Sequence, residues 1–159
     1  MEQIAGLKLK NIVYIDETGF DEYYSRKYGY SKRGQRIIGK VFGRRIFRTN
    51  LVAGLANGKI VAAELYRESI SCLLFENWFK NKLLPQVKKK SIIVLDNATF
   101  HRKKVLKALA KKRKCHVLFL PPYSPDLNPI EKKWSNTKEF LRNNIKNFDT
   151  LQDAILHYL

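Results

Sequence analysis

The chain is short of acid. Its 159 residues carry 14 Asp and Glu against 31 Lys and Arg, a formal net charge of +17. That excess bears on partners and not on fold. It points to a polyanion, and DNA or RNA is the one that suits a folded basic domain. A merely solvated basic surface and an anionic membrane surface are the other two readings. Cysteine is scarce as well: Cys72 and Cys115 have no metal-type spacing. Their apolar neighbours mark them as core thiols of a reducing compartment, which excludes a disulfide framework. No apolar run reaches the ~20 residues of a membrane helix. Residues 1–10 also lack the apolar centre of a signal peptide. A soluble protein of the cytoplasm, with no membrane contact, is expected.

What is there is a core-forming composition. Hydrophobic residues make up 45% and aromatics 12%, which excludes a disordered chain and leaves length for one domain. No repeat, low-complexity tract or linker divides it, so residues 1–10 are read as a lead-in and 11–159 as a single domain.

Asn11–Asp16 is apolar and β-branched and reads as a first strand closed by Asp16, with Glu17-Thr18-Gly19-Phe20 turning away. Residues 21–45 read as a long loop rich in tyrosine and arginine, with an irregular strand near Gln35–Ile38. Phe47–Leu55 and Lys59–Tyr66 flank Asn57-Gly58, a strong hairpin signal. From Ser69, apolar residues at Ile70, Leu73, Leu74, Trp78 and Leu83 have helical spacing, with Pro85 at or just past the end. Ile92–Leu95 is a short unbroken apolar run, the pattern of a strand buried on both faces. Val105, Leu106, Leu109 and Ala110 form one face of the next helix, opposite Lys103, Lys104, Lys107 and Lys111. His116–Leu120 reads as another buried strand. Pro121–Pro129 is a stiff loop, and helices follow at Ile130–Ile145 and from Leu151, the last capped by Asp149 or Thr150. Three strands able to pair antiparallel, followed by strand–helix crossovers, predict an α/β fold with a mixed five-stranded sheet flanked by helices.

Three acids hold comparable positions. Asp16 closes the first strand and Asp96 the fourth, and open α/β sheets place their chemistry at such strand ends. If those strands are neighbours, the two meet. Glu131 falls in the first turn of the helix after the proline loop, which would aim it back at them. Clustered carboxylates raise one another's pKa unless a cation intervenes. All-oxygen ligands suit Mg²⁺ or Mn²⁺, and two such ions about 3.5–4 Å apart serve phosphoryl transfer. The bland readings stand beside this one: an Asp after a strand also forms turns or caps helices, and Glu131 also complements a helix dipole. Glu17, Asp21, Asp126 and Glu139 are acids of the same type and are read as decoys.

Tyr14-Ile15-Asp16-Glu17-Thr18-Gly19-Phe20, Leu95-Asp96-Asn97-Ala98-Thr99-Phe100-His101 and Pro121-Pro122-Tyr123-Ser124-Pro125-Asp126-Leu127-Asn128-Pro129-Ile130-Glu131 together resemble the catalytic domain of mariner-superfamily insertion-sequence transposases. These belong to the wider DDE transposase and retroviral-integrase group. The 34 residues between Asp96 and Glu131 match the spacing of that superfamily's Glu-ended triads. The resemblance implies a ribonuclease-H-like fold in which Asp16, Asp96 and Glu131 hold two ions, Mg²⁺ or Mn²⁺. It also implies hydrolysis at transposon ends and attack of the freed 3′-OH on target DNA, by a homodimer when active. Full-length relatives carry helix-turn-helix modules that read the ends. None is expected in residues 1–10, so a separate chain supplying that module, or a fragment, is expected. Bacterial, nucleoid-associated residence follows from the same resemblance.

Around the acids, Asn97, His101 and Asn128 are candidates to support the ligands by hydrogen bonds. Helix capping is the alternative for His101, and turn formation for the asparagines. Arg26, Lys32, Arg33, Arg36, Arg44 and Arg45, interleaved with tyrosines, are candidate DNA contacts, as are Lys103 and Lys104. Trp78 and Trp134 are read as core. The rival functions are a non-catalytic DNA-binding remnant of a transposase and a nuclease of RNA–DNA hybrids.

Overall fold

The computed structural model describes residues 11–21, 31–36, 48–122 and 124–159. Five strands form one sheet in the order β3-β2-β1-β4-β5. They are β1 (Ile12–Asp21), β2 (Arg48–Ala56), β3 (Lys59–Tyr66), β4 (Ile92–Leu95) and β5 (His116–Phe119). The β1–β2 and β2–β3 pairs are antiparallel, whereas β1–β4 and β4–β5 are parallel. This is the expected mixed five-stranded sheet. The β2–β3 hairpin turns at Asn57 and Gly58, whose φ angles of 50° and 78° suit the primed turns that follow the sheet's twist.

β1 is longer than its sequence suggests. Glu17-Thr18-Gly19-Phe20 does not turn away; it stays paired with β2 as far as Asp21↔Arg48. The reason is alternation. Val13 and Ile15 are buried against one face of the sheet, and Thr18 and Phe20 are buried too, with Phe20 in the opposite core. A turn at Glu17 would expose that second set. Asp16 therefore lies in mid-strand, although its parallel neighbour β4 pairs with β1 only over Ile12–Tyr14. The open end of the sheet begins beside Asp16.

One core packs Val13, Ile15, Val52, Ile93 and Leu95 under the helices of residues 72–86 and 103–112. α1 (Cys72–Trp78) starts at Ser71, whose hydroxyl accepts the Leu74 N–H, not at Ser69. A π turn, Phe79–Leu83, leads into the short α2 (Leu84–Gln86), which accommodates Pro85. Phe75, Trp78, Phe79 and Leu83 face the core, while Leu73, expected inside, is 65% exposed. α3 (Lys103–Lys112) buries Leu106 and Ala110 and turns its lysines out.

The second core lies across the sheet, where α4 (Ile130–Asn144) and α5 (Leu151–Tyr158) cover Phe20, Leu51, Ala53 and Leu55. Thr150 caps α5 by accepting the Asp153 N–H. β5 is an edge strand with no fully buried residue, so the expected burial on both faces does not hold there; of the two, β4 alone is paired on both sides. Gln35 and Arg36 are not in a strand, and the rest of the expected 35–38 strand lies outside the described residues. Cys115 is buried, Cys72 is half-buried, and both are free thiols. No helix among the described residues is long and apolar enough to cross a membrane.

Candidate active site

Asp16, Asp96 and Glu131 line one open cleft of about 560 Å³ at the end of the sheet, together with Asn97 and Asn128. Each acid arrives on a different element. Continuing the β1–β4 register from Tyr14↔Val94 by two residues brings Asp16 level with Asp96, and adjacent strands lie about 4.8 Å apart. The Leu120 N–H donates to the Leu95 carbonyl at 2.8 Å, so the proline loop leaves the sheet beside Asp96. Asn128 brings that loop home. Its Nδ2 donates to the Ile15 carbonyl at 3.2 Å, and its own carbonyl accepts the Glu131 N–H at 3.1 Å. Glu131 is thereby fixed at the start of α4, with its side chain exposed.

Trp134, one turn after Glu131 on the same helix face, donates Nε1–H to Asp16 Oδ2 at 2.9 Å. It is core, as expected, but a buried indole N–H needs an acceptor, and here the acceptor is a candidate ligand. His101 does not cap α3. That cap is Arg102, which offers no side-chain bond and pairs with Glu76 of α1. The His101 ring is buried between Phe75 and Phe100, centroids 4.4 and 4.1 Å away. Its Nε2 stands 3.3 Å from Asp96 Oδ1 and 3.7 Å from Glu17 Oε1. The side chains of Asn97 and Asn128, by contrast, bond none of the three carboxylates.

The electrostatics are uneven. Burial, then the charge of Glu131, pushes Asp16 up to about 7 even though Trp134 opposes the shift. Burial, with Asp16 and Asp96 behind it, pushes Glu17 up to about 8. Asp96 is held below its usual value, first by His101. Glu17 does not line the cleft, but it is tied to it through His101. It projects from β1 on the side opposite Asp16, toward His101, and its signal is the alternation Val13, Ile15, Glu17 along a strand that runs past the apparent turn. Asp126 and Glu139 are exposed. Lys32, Arg33, Arg36, Lys103 and Lys104 are exposed; Arg26, Arg44 and Arg45 lie outside the described residues. Gly19 leaves the space of a Cβ to the Arg48 guanidinium, whose Nε would collide with any side chain there.

Among the described residues no three His, Cys, Asp or Glu side chains are already gathered about one ion position. The donor chemistry nevertheless fits a hard divalent cation. The cleft is lined by carboxylate, amide and hydroxyl side chains with no His or Cys, and the Asn97 Oδ1 and Asn128 Oδ1 atoms of that lining are buried without a hydrogen-bond partner.

A family model described as DDE superfamily endonuclease matches residues 11–152. Among solved structures, the Mos1 transposase paired-end complex with left transposon end has a TM-score of 0.73 and 21% identity, covering 96% of this chain and 48% of that one. The Mos1 Strand Transfer Complex has 0.69 and 20%, covering 99% and 48%. The Mos1 mariner paired end complex with Mn has 0.66 and 23%, covering 82% and 43%. The likeness is one of fold, the ribonuclease-H-like sheet of transposase catalytic domains, and the chain spans about half the length of those transposases. No curated protein sequence matches it. With a match over residues 11–152 and the acids of all three motifs on one cleft, the chain belongs to the DDE superfamily of endonucleases.

Proposed function

We propose that residues 11–159 are the catalytic domain of a DNA transposase, which hydrolyses phosphodiester bonds at transposon ends and joins the freed 3′-OH to target DNA. The observation that carries this reading is the convergence of Asp16, Asp96 and Glu131, from three separate elements, on one cleft. These three are the proposed catalytic residues and the ligands of two Mg²⁺ or Mn²⁺ ions. Of the similar structures, one is a complex with Mn. Bound there, such ions supply Lewis acidity and an activated oxygen nucleophile.

The chain's own residues do the rest. Trp134 and His101 hold the Asp16 and Asp96 carboxylates in place. Asn128 ties the Glu131 turn to β1. Lys32, Arg33, Arg36, Lys103 and Lys104 take the phosphate backbone, with Arg26, Arg44 and Arg45 as further contacts. A homodimer acting at the nucleoid of a bacterial cell, with end recognition by a helix-turn-helix module on this or a separate chain, completes the reading.

The test is nicking of a transposon-end duplex in Mn²⁺ by the wild type and by Asp96→Ala. The variant is expected to bind DNA in a salt-sensitive manner but not to cut. Nicking that survives the substitution refutes the acid assignment. Failure of the wild type to cut, with DNA binding intact, leaves the binding remnant. Preference for an RNA–DNA hybrid identifies the other nuclease.

A further inference from the structure

At the end of the sheet away from the acids, two loops gather seven cations. Lys88, Lys89 and Lys90 precede β4, and Lys111, Lys112, Arg113 and Lys114 lie at the end of α3, before β5. Because β4 and β5 run parallel, the two loops emerge side by side. The Lys90 N–H donates to the Lys114 carbonyl at 3.0 Å, and the His116 N–H to that of Ser91 at 3.0 Å. All seven side chains are exposed, and none has an ion pair among the described residues. Between Glu76 and Asp126 the only acid in the sequence is Asp96, at the other end of β4. Lys90 and Lys114 both adopt left-handed backbone, φ 64° and 60°, a conformation that glycine or asparagine would take at less conformational cost. Lysine at these turns adds charge where the backbone disfavours it.

We infer that this patch is a second DNA-backbone surface, holding a duplex other than the one at the acid cleft. α3 separates the two sites. Lys103 opens the helix on the cleft side, and Lys112 closes it nine residues on, on the order of 14 Å away. Juxtaposed cations without acids are what a phosphate backbone neutralises, with release of its counterions. An anionic membrane suits the patch less well. Interfacial binding also needs apolar side chains to insert, and the exposed large hydrophobics among the described residues, Leu73, Leu156 and Tyr158, are none of them in these loops. The inference rests on the transposase reading only for its expectation of two DNA segments.

The experiment captures a labelled duplex on an immobilised one through the full chain, in EDTA so that no chemistry is required. Lys89→Gln, Lys90→Gln, Lys112→Gln and Lys114→Gln combined are expected to cut bridging about tenfold. They should also make the salt dependence shallower by up to about 0.9 for each phosphate that is no longer neutralised, while nicking of a single duplex in Mn²⁺ is unchanged. Lys90→Gly with Lys114→Gly removes charge while relieving the backbone, so a loss of bridging there is not a folding defect. Unchanged bridging in both variants overturns the inference. So does patch-dependent binding to phosphatidylserine vesicles with bridging intact. If Asp96→Ala and wild type both fail to nick yet bridge through the patch, the catalytic reading falls and this one stands.

Discussion

Replacing Asp16 by Asn tests whether the fold carries a half-buried carboxylate whose charge it disfavours. The folded chain holds the Asp16 proton up to about pH 7, whereas the unfolded chain releases it near the ordinary value of 3.8. Between those values the folded state binds more protons, so stability falls as pH rises through the window and levels off above it. Each pKa unit corresponds to about 1.4 kcal/mol, so the two units from about pH 5 to about 7 remove about 3 kcal/mol in the metal-free protein. Glu17, pushed up to about 8, acts in the same direction. Its effect overlaps that of Asp16, whose charge is one cause of the Glu17 shift. Asp96 is displaced the other way; its contribution is present above 3.8 and is lost only in stronger acid, outside this window. Asp16→Asn keeps an oxygen for the Trp134 N–H and removes the charge. Urea unfolding in EDTA should show the variant gaining about 3 kcal/mol on the wild type between about pH 5 and about pH 8. Mn²⁺ should stabilise the wild type at the higher pH and leave the variant unchanged. A gap that stays flat or shrinks with pH refutes the reasoning.

Trp134→Phe removes the 2.9 Å donor to Asp16; a hydrogen bond to a charged group is worth ~1.5–3 kcal/mol, so the acid limb of the nicking rate should move to higher pH. His101→Phe keeps the packing between Phe75 and Phe100 but takes away the main cause of the Asp96 shift. Carboxyl-carbon NMR should then show Asp96 titrating higher than in the wild type. Asn128→Ala leaves the buried Ile15 carbonyl without the side chain that bonds it, a loss of ~1–3 kcal/mol in urea unfolding. It should also slow nicking with little change in DNA affinity, because the Glu131 turn loses its anchor.

The parts of the fold that are legible in the sequence are those where one local signal suffices. Ile92–Leu95 has no polar residue to confuse its pattern, and Asn57-Gly58 admits few alternatives to a hairpin. β1 reads too short because Gly19 and a pair of acids imitate a turn, while the pairing with β2 that extends it is a tertiary fact. In the first helix, Ser69 and Ser71 are equally good caps, and the π turn at Phe79–Leu83 breaks the period on which spacing arguments depend. The three acids are legible because each sits beside a distinctive local pattern. The side chains that hold them are not. Trp134 and His101 reach Asp16 and Asp96 from the chemistry of a buried N–H seeking an acceptor, and nothing local to residues 95–101 says that a histidine will turn inward between two phenylalanines.

The placement of charge gives the cleft its clearest physical signature. Of 31 Lys and Arg, none among the described residues forms an ion pair with Asp16, Glu17 or Glu131, although seven crowd together at the opposite end of the sheet. Spreading one of those lysines into the cleft would lower the two raised carboxyl pKa values. It would also occupy the space that a divalent ion needs. Thr99 lines the cleft and is exposed, so Thr99→Lys can place an ammonium there. If the cleft is kept free of fixed cations for an exchangeable one, this variant should lose most of the fall in stability between about pH 5 and about pH 8. It should also bind Mn²⁺ more weakly in calorimetric titration and nick more slowly. A variant that gains the flat pH profile yet keeps full metal affinity would show that the unpaired acids serve something other than cation binding.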